Sequence, residues 1–200
     1  MIHIYQKPKS NAPIFLLLHG TGGDERDLIP FVQSLNPNAG FLSVRGEVNE
    51  HGMNRFFRRL KPGVFDLEDL EKRTANLNAF LDEAARKYQF DKSQLIAFGY
   101  SNGANMIASL ILYNGSLIKA AVLMHPMVPR RDLDPVDLSG LKVLITAGQH
   151  DAMCPVQETE DLEAILTSMN AEVSIEWFSG GHEITPNEVN RIRNYLKAFN

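Results

Sequence analysis

Cysteine is almost absent from this chain, which carries only Cys154 among its 200 residues. A single thiol excludes an intrachain disulfide, and the amino-terminal residues lack a signal-peptide pattern, so we expect a cytoplasmic protein. Long apolar runs are missing as well. No segment approaches the ~18 consecutive apolar residues that a membrane span needs, and membrane insertion is therefore not expected.

The sequence also lacks an excess of positive charge. Lysine and arginine together number 20 against 24 acidic residues, and the formal net charge is -4. Neither nucleic acid nor an anionic membrane surface is an expected partner of such a chain. The scattered histidines and the lone cysteine show no metal-ligand spacing, so we expect no metal site and no cofactor.

Short apolar runs alternate with amphipathic segments along the chain, and no linker divides it. The apolar runs predict strands, whereas the amphipathic segments predict helices. Parallel strands need crossover connections, so this alternation predicts one α/β domain over residues 1–200, with a mostly parallel sheet between two helical layers. The apolar runs predict strands at 13–18, 40–44, 94–99, 120–124, 141–147 and 172–178, and the amphipathic segments predict helices at 24–35, 67–88, 102–113, 156–169 and 186–199. Residues 3–6 alternate instead and are a candidate antiparallel edge strand.

The pentapeptide G-Y-S-N-G at residues 99–103 lies between a predicted strand and a predicted helix. It fits the G-x-S-x-G pattern in the context that gives this pattern its meaning. Such a turn exposes the serine hydroxyl beside a helix amino terminus, where backbone N–H groups favour developing negative charge. A turn serine would explain the pentapeptide alone, but in this context we predict that Ser101 is a nucleophile.

A serine nucleophile needs a base and an acid that orients the base. In this strand–turn–helix context the expected chain order is serine, acid, histidine. Of the six histidines, His182 follows both Ser101 and a suitable acid, whereas His125 and His150 fit the order poorly. Asp151, at the carboxyl end of a predicted strand, is the predicted acid. Glu183 is the weaker alternative because a sequence neighbour of the histidine usually points elsewhere.

The intermediate of acyl transfer needs two hydrogen-bond donors for its oxyanion. The backbone N–H of Asn102, directly after the serine, is the first predicted donor. The loop H-G-T-G-G-D-E at residues 19–25 follows an early strand, and the N–H of Thr21 is the second. A dinucleotide-binding G-x-G-x-x-G pattern fails in this loop because position 25 is Glu25, and no P-loop G-K-[ST] is present.

These segments together resemble the phospholipase/carboxylesterase family of small α/β-hydrolases over almost the whole chain. Within that family the sequence is similar to bacterial carboxylesterases linked to quinone resistance, which share H-G-T-G-G-D-E and a stretch like R-F-F-R-R-L at residues 55–60. The resemblance implies an α/β-hydrolase fold without a large cap domain and a triad of Ser101, Asp151 and His182. The family's acyl-protein thioesterases carry H-G-x-G-D and G-F-S-Q-G, so the additional glycine and Asn102 argue against protein deacylation.

The resemblance also implies that residues 45–65 lie over the site as a short covering segment. We predict that Phe56, Phe57, Met127 and Met153 line a substrate pocket, with ordinary core packing as the alternative because both environments use the same residue types.

The sequence therefore predicts a serine hydrolase that cleaves small carboxylic esters through an acyl-enzyme. Three alternatives use the same residues: a thioesterase, an acyltransferase or lyase, and a binding protein that has kept the fold without the activity. The expected partner is a small ester, and a homodimer is left open.

Overall fold

A seven-stranded sheet forms the centre of the protein, and a computed structural model describes its residues 1–9 and 11–199. Residues 10 and 200 of the predicted domain 1–200 lie outside the described residues. The strands are β1 (His3–Gln6), β2 (Ile14–Leu18), β3 (Gly40–Val44), β4 (Val48–Glu50), β5 (Met53–Arg55), β6 (Arg59–Lys61), β7 (Val64–Phe65), β8 (Ile96–Tyr100), β9 (Ala120–Met124), β10 (Lys142–Gly148) and β11 (Glu172–Phe178). The α-helices are α1 (Ile29–Leu35), α2 (Leu67–Tyr88), α3 (Asn102–Asn114), α4 (Val156–Ser168) and α5 (Pro186–Leu196).

The strand order in the sheet is β1, β3, β2, β8, β9, β10 and β11. Strand β1 pairs antiparallel with β3, and all other neighbouring pairs are parallel. The predicted mostly parallel α/β architecture is therefore confirmed. Because the parallel strands point the same way, the loops after β2, β8, β10 and β11 gather at one edge of the sheet, where ligands bind in open α/β folds.

Helices cover both faces of this sheet, which explains why its central strands are apolar without alternation. In β2, Leu16 and Leu18 pack in one core cluster with α2, α3 and α4, whereas Phe15 and Leu17 pack in the other with α1 and α5. Full burial of each such side chain contributes about 1.5–3 kcal/mol to folding. Across the described residues, no helix combines the length and the apolar character that a membrane crossing requires.

Two element boundaries differ from the sequence prediction by three residues or more. The helix predicted from residue 24 begins at Ile29, because the backbone N–H of Arg26 donates to the Asp24 carboxylate at 2.7 Å in a tight turn and Pro30 fixes the first helical turn. The last helix ends at Leu196 and continues as a short 3₁₀ turn over Lys197–Phe199.

Residues 45–65, for which the sequence predicted no regular structure, form two small hairpins. Strand β4 pairs antiparallel with β5, and β6 pairs antiparallel with β7 through an irregular register. Together these hairpins are called the covering segment below. It occupies the connection between β3 and α2, next to the loop that follows β2.

Candidate active site

Ser101 lies at the sharp turn between β8 and α3, where its backbone is in an unusual conformation with φ of 51° and ψ of -112°. The turn is held in place because the N–H of Ser101 donates to the carbonyl of Met124 at 2.8 Å. Neighbouring backbone leaves no room for side chains beside it: a Cβ at Gly99 would lie 2.6 Å from the Cα of Ala104. The glycines therefore allow a strained serine to project from the end of the strand.

The structure brings the three predicted residues Ser101, His182 and Asp151 together. The Ser101 hydroxyl lies 2.9 Å from Nε2 of His182, and Nδ1 of His182 lies 2.6 Å from Oδ2 of Asp151. Asp151 accepts a hydrogen bond from the N–H at Nδ1, which leaves Nε2 of the neutral ring free to accept from the serine. This is the arrangement in which a histidine can take the serine proton.

The carboxylate of Asp151 is buried and accepts several hydrogen bonds. Its other oxygen, Oδ1, accepts from the backbone N–H groups of Met153 at 2.8 Å and Cys154 at 2.9 Å. Burial alone would raise the pKa of Asp151, but the hydrogen bonds from His182 and from these two backbone groups outweigh it and hold the pKa below its ordinary value. Asp151 is therefore ionised near neutral pH.

The two predicted oxyanion donors, Asn102 and Thr21, both lie on the cavity beside Ser101. Asn102 is the first residue of α3, so its N–H has no partner within the helix. Thr21 lies in the loop after β2, and its hydroxyl accepts from Nη1 of Arg55 at 2.6 Å. That their N–H groups bind an oxyanion stays a prediction.

His19 fixes the loop that carries Thr21, a role the sequence analysis did not assign. Its Nδ1 lies 2.6 Å from the carbonyl of Gly20, and its Nε2 accepts from the N–H of Gly46 at 3.0 Å. Burial lowers the pKa of His19 more than its hydrogen bond to Gly20 raises it, so the ring stays neutral with its proton on Nδ1. The position of His19 at the start of the H-G-T-G-G motif was the signal available in the sequence.

A cavity of about 340 Å³ opens directly beside Ser101. The predicted contacts Met127 and Met153 lie on its wall, but Phe56 and Phe57 do not. Phe56 and Phe57 are 4% and 0% exposed and pack in the hydrophobic core, where Phe57 meets Phe65 edge to face. The lining consists of Thr21, Arg55, Arg59, Pro62, Gly63, Phe65, Ser101, Asn102, Asn105, Met127, Ala152, Met153 and Cys154.

The covering segment forms one side of this cavity and is hydrogen-bonded to α3, the helix that follows Ser101. The side-chain oxygen of Asn102 accepts from the N–H of Phe56 at 2.7 Å, and both residues are buried. The ring of Phe56 lies away from the cavity and packs on His19 in the core. The aromatic residue on the cavity wall is Phe65, where the sequence analysis predicted Phe56 and Phe57.

Two arginines give the covering segment a positive wall facing the cavity. Arg55 is 4% exposed and also donates to the carbonyl of Phe57 at 3.2 Å, whereas Arg59 pairs with Glu50 at 3.0 Å. Burial, and then the charge of Arg59, lowers the pKa of Arg55. The third arginine of the motif, Arg58, points to the surface and pairs with Asp66.

A second histidine, His125, contacts Asp151, the predicted acid, and was set aside in the sequence analysis. It follows β9 with a φ of 52°, is 1% exposed, and its Nδ1 lies 3.2 Å from Oδ2 of Asp151. Its Nε2 lies 3.4 Å from Oε2 of Glu188, a fully buried residue in α5. Buried polar pairs of this kind join distant parts of the chain, so no spacing pattern in the sequence indicated them.

A metal site is a second interpretation of this cluster, because the donor atoms of His125, Asp151 and His182 all lie within 4.8 Å of one another. The 2.6 Å between Nδ1 of His182 and Oδ2 of Asp151 is a hydrogen-bond distance. Two ligands of a tetrahedral ion with bonds of ~2.0 Å would be ~3.3 Å apart, so a proton, not an ion, fits between these atoms.

The serine turn, the histidine and the aspartate at the carboxyl edge of a mostly parallel sheet define the class of this protein as an α/β-hydrolase. A match to a known protein family supports the same class. A family model described as "Dienelactone hydrolase family" matches residues 5–190. The chain therefore belongs to the dienelactone hydrolase family.

Individual relatives give the same class. "Putative hydrolase MhqD" of Bacillus subtilis (strain 168) is 47% identical over 197 residues, which cover 98% of each chain. The crystal structure of the Bacillus cereus carboxylesterase has a TM-score of 0.95 and 48% identity, and the match covers 98% of this chain and 93% of that one. A carboxylesterase from Mesorhizobium loti has a TM-score of 0.90 and 31% identity, over 94% and 90% of the two chains. The predicted resemblance to carboxylesterase-type α/β-hydrolases is confirmed, and the protein is a hydrolase.

Proposed function

We propose that this protein hydrolyses small carboxylic esters through an acyl-enzyme, with Ser101 as nucleophile, His182 as base and Asp151 as the acid that orients it. The observation that carries the proposal is the continuous hydrogen-bond chain, in which Nε2 of His182 lies 2.9 Å from the Ser101 hydroxyl and Nδ1 lies 2.6 Å from Asp151. A serine hydroxyl is a weak nucleophile unless such a base accepts its proton.

In the first half of the reaction, Oγ of Ser101 attacks the ester carbonyl while its proton passes to Nε2 of His182. The carbonyl oxygen becomes an oxyanion, which the N–H groups of Asn102 and Thr21 stabilise by hydrogen bonds. When the intermediate collapses, the bond to the alcohol breaks and His182 gives its proton to the departing oxygen. Asp151 stays ionised and stabilises the imidazolium during these steps.

In the second half, water attacks the acyl-enzyme and gives its proton to His182. Collapse of the second intermediate breaks the bond between the acyl carbon and Oγ, and His182 returns the proton to Ser101. The products are the carboxylic acid and the free enzyme. No cofactor takes part in these reaction steps.

The cavity supports small substrates. Its volume of about 340 Å³ suits a short acyl chain or a single ring, with Met127 and Phe65 as apolar walls. Met153 is 59% exposed and lies where the cavity opens to solvent. These walls allow either part of an ester to pack against apolar surface while the carbonyl lies at Ser101.

The deciding experiment compares Ser101→Ala with the wild type on short p-nitrophenyl esters. Loss of the nucleophile should reduce kcat by about 10⁴-fold or more. Ser93→Ala is the matched control, because Ser93 is exposed and lies in the 3₁₀ turn before β8. A fluorophosphonate probe should label the wild type on Ser101 and leave the Ser101→Ala variant unlabelled. Undiminished turnover by Ser101→Ala would refute the assignment.

A further inference from the structure

His125 has hydrogen-bond partners on both ring nitrogens, and both partners are carboxylates. Oδ2 of Asp151 is 3.2 Å from Nδ1, and Oε2 of Glu188 is 3.4 Å from Nε2. The ring is 1% exposed, so water does not take the place of either partner. Its backbone is held by a bond from its N–H to the carbonyl of Thr146 at 2.8 Å.

The two carboxylates act as acceptors throughout this network. Besides His125, Asp151 accepts from His182 and from two backbone N–H groups. Glu188 accepts from the hydroxyl of Thr146 at 2.6 Å and from the N–H of Thr185 at 3.3 Å. A neutral imidazole carries one N–H and could donate to only one of two ionised carboxylates, whereas an imidazolium donates to both.

The charges around the ring favour the same state. Burial lowers the pKa of His125, but the hydrogen bonds and charges of Glu188 and Asp151 outweigh that effect and raise it above its ordinary value. Without a cation, two carboxylates would share a buried site with no compensating charge. The titratable groups that face His125 from the neighbouring elements are Tyr100, Asp151, Cys154, His182, Glu183 and Glu188.

We propose that His125 is a buried imidazolium that positions the carboxylate of Asp151 by donating to Oδ2, the same oxygen that His182 contacts, and is itself held by Glu188. The triad acid would thus be shared between two histidines, one that transfers protons and one that keeps a permanent charge. His125 is a positioning residue. Its effect on catalysis rests on the proposed function, whereas its charge state does not.

This charge has a defined effect on the base. The two histidine rings are 5.3 Å apart between their centroids, so a positive charge on His125 opposes the protonation of His182. His182 would then stay available as a base at lower pH than it would beside two uncompensated carboxylates. The acidic limb of the rate profile reports this effect.

The first test measures the charge directly. In protein labelled with ¹⁵N-histidine, both ring nitrogens of His125 should show the NMR shifts of a protonated imidazolium near neutral pH, and these signals should vanish in His125→Gln. A neutral ring near neutral pH would overturn the proposal. Because no substrate is needed, this result is independent of whether the protein hydrolyses esters.

The second test uses the pH dependence of kcat/KM. His125→Gln should move the acidic limb to higher pH by about one unit, since it leaves two carboxylates facing the base. Adding Glu188→Gln removes the uncompensated charge and should move the limb back, while glutamine still serves the capping box at Thr185. If His125→Gln acted only by damaging the packing, the double variant would be impaired more than the single variant.

An unchanged acidic limb in a folded His125→Gln variant, or no reversal in the double variant, would contradict the proposal. If His125→Gln does not fold, the NMR measurement on the wild type decides alone. A wild type with an imidazolium at His125 but no activity on any ester would instead refute the proposed function.

Discussion

Replacing Gly103 with alanine tests how closely the nucleophile's helix must approach the sheet. A Cβ there would lie 2.1 Å from the carbonyl oxygen of Leu18 and 2.6 Å from that of His19. Ordinary carbon–oxygen contacts are about 3.3 Å or longer, so α3 would have to move away from β2 by about 1 Å. Both contacts are with backbone atoms of a central strand and its loop, which cannot rotate aside.

The size of the effect follows from two opposing contributions. Overpacking against backbone costs about 3 kcal/mol, whereas alanine gains about 1 kcal/mol of helix propensity over glycine. The net loss of about 2 kcal/mol lowers Tm by about 4–8 °C in a chain of this length. The displacement also moves the N–H of Asn102, and a misplacement of about 1 Å can reduce the rate by about a hundredfold.

Thermal unfolding and ester hydrolysis measure the two effects separately. Gly52→Ala is the control: Gly52 also resists substitution, because its φ is +88°, but nothing lies within 4 Å of the added Cβ. Its backbone strain costs about 1 kcal/mol and should leave kcat unchanged. A Gly103→Ala variant with Tm within about 1 °C of the wild type and an unchanged kcat would refute the argument from close approach.

Two further predictions concern the cavity wall. Burial, and then the charge of Asp151, raises the pKa of Cys154 to about 12. The native thiol should therefore react with a disulfide reagent at mildly alkaline pH far more slowly than the thiol of the urea-unfolded chain. Equal rates would contradict this prediction. Arg55→Met removes the bond to Thr21 and should lower kcat on short esters by about tenfold to a hundredfold. Arg58→Met, which removes ion pairs to Asp66 and Asp69 but no contact with Thr21, should leave kcat unchanged, and equal losses in the two variants would contradict the role of Arg55.

The parts of this protein that local pattern controls could be predicted from its sequence. All six strands predicted from apolar runs are present, because burial on both faces of a parallel sheet leaves that signature. The order of serine, acid and histidine likewise led to Ser101 and Asp151, which the structure places within hydrogen-bond distance of the two ring nitrogens of His182.

The features that escaped prediction depend on pairings between distant residues. Phe56 is a residue type that pockets use, but its ring packs in the core and its N–H donates to a side chain 46 positions away. The pair of His125 and Glu188 is separated by 63 positions and carries no spacing signal. Burial and partner choice at such positions are decided by the assembled sheet and not by periodicity along the chain.

The bond between Asn102 and the covering segment limits how far the entrance to the site can open. The segment is also hydrogen-bonded to the loop after β2, through Gly46 with His19 and through Arg55 with Thr21. Breaking these three hydrogen bonds, two of which are buried, at about 1–3 kcal/mol each would cost about 3 kcal/mol or more. An open form would then represent about one molecule in a hundred or fewer. Substrates therefore meet an entrance of nearly constant width. A glutamine in place of Asn102 would change that width, because its longer side chain would hold Phe56 at a greater distance from α3.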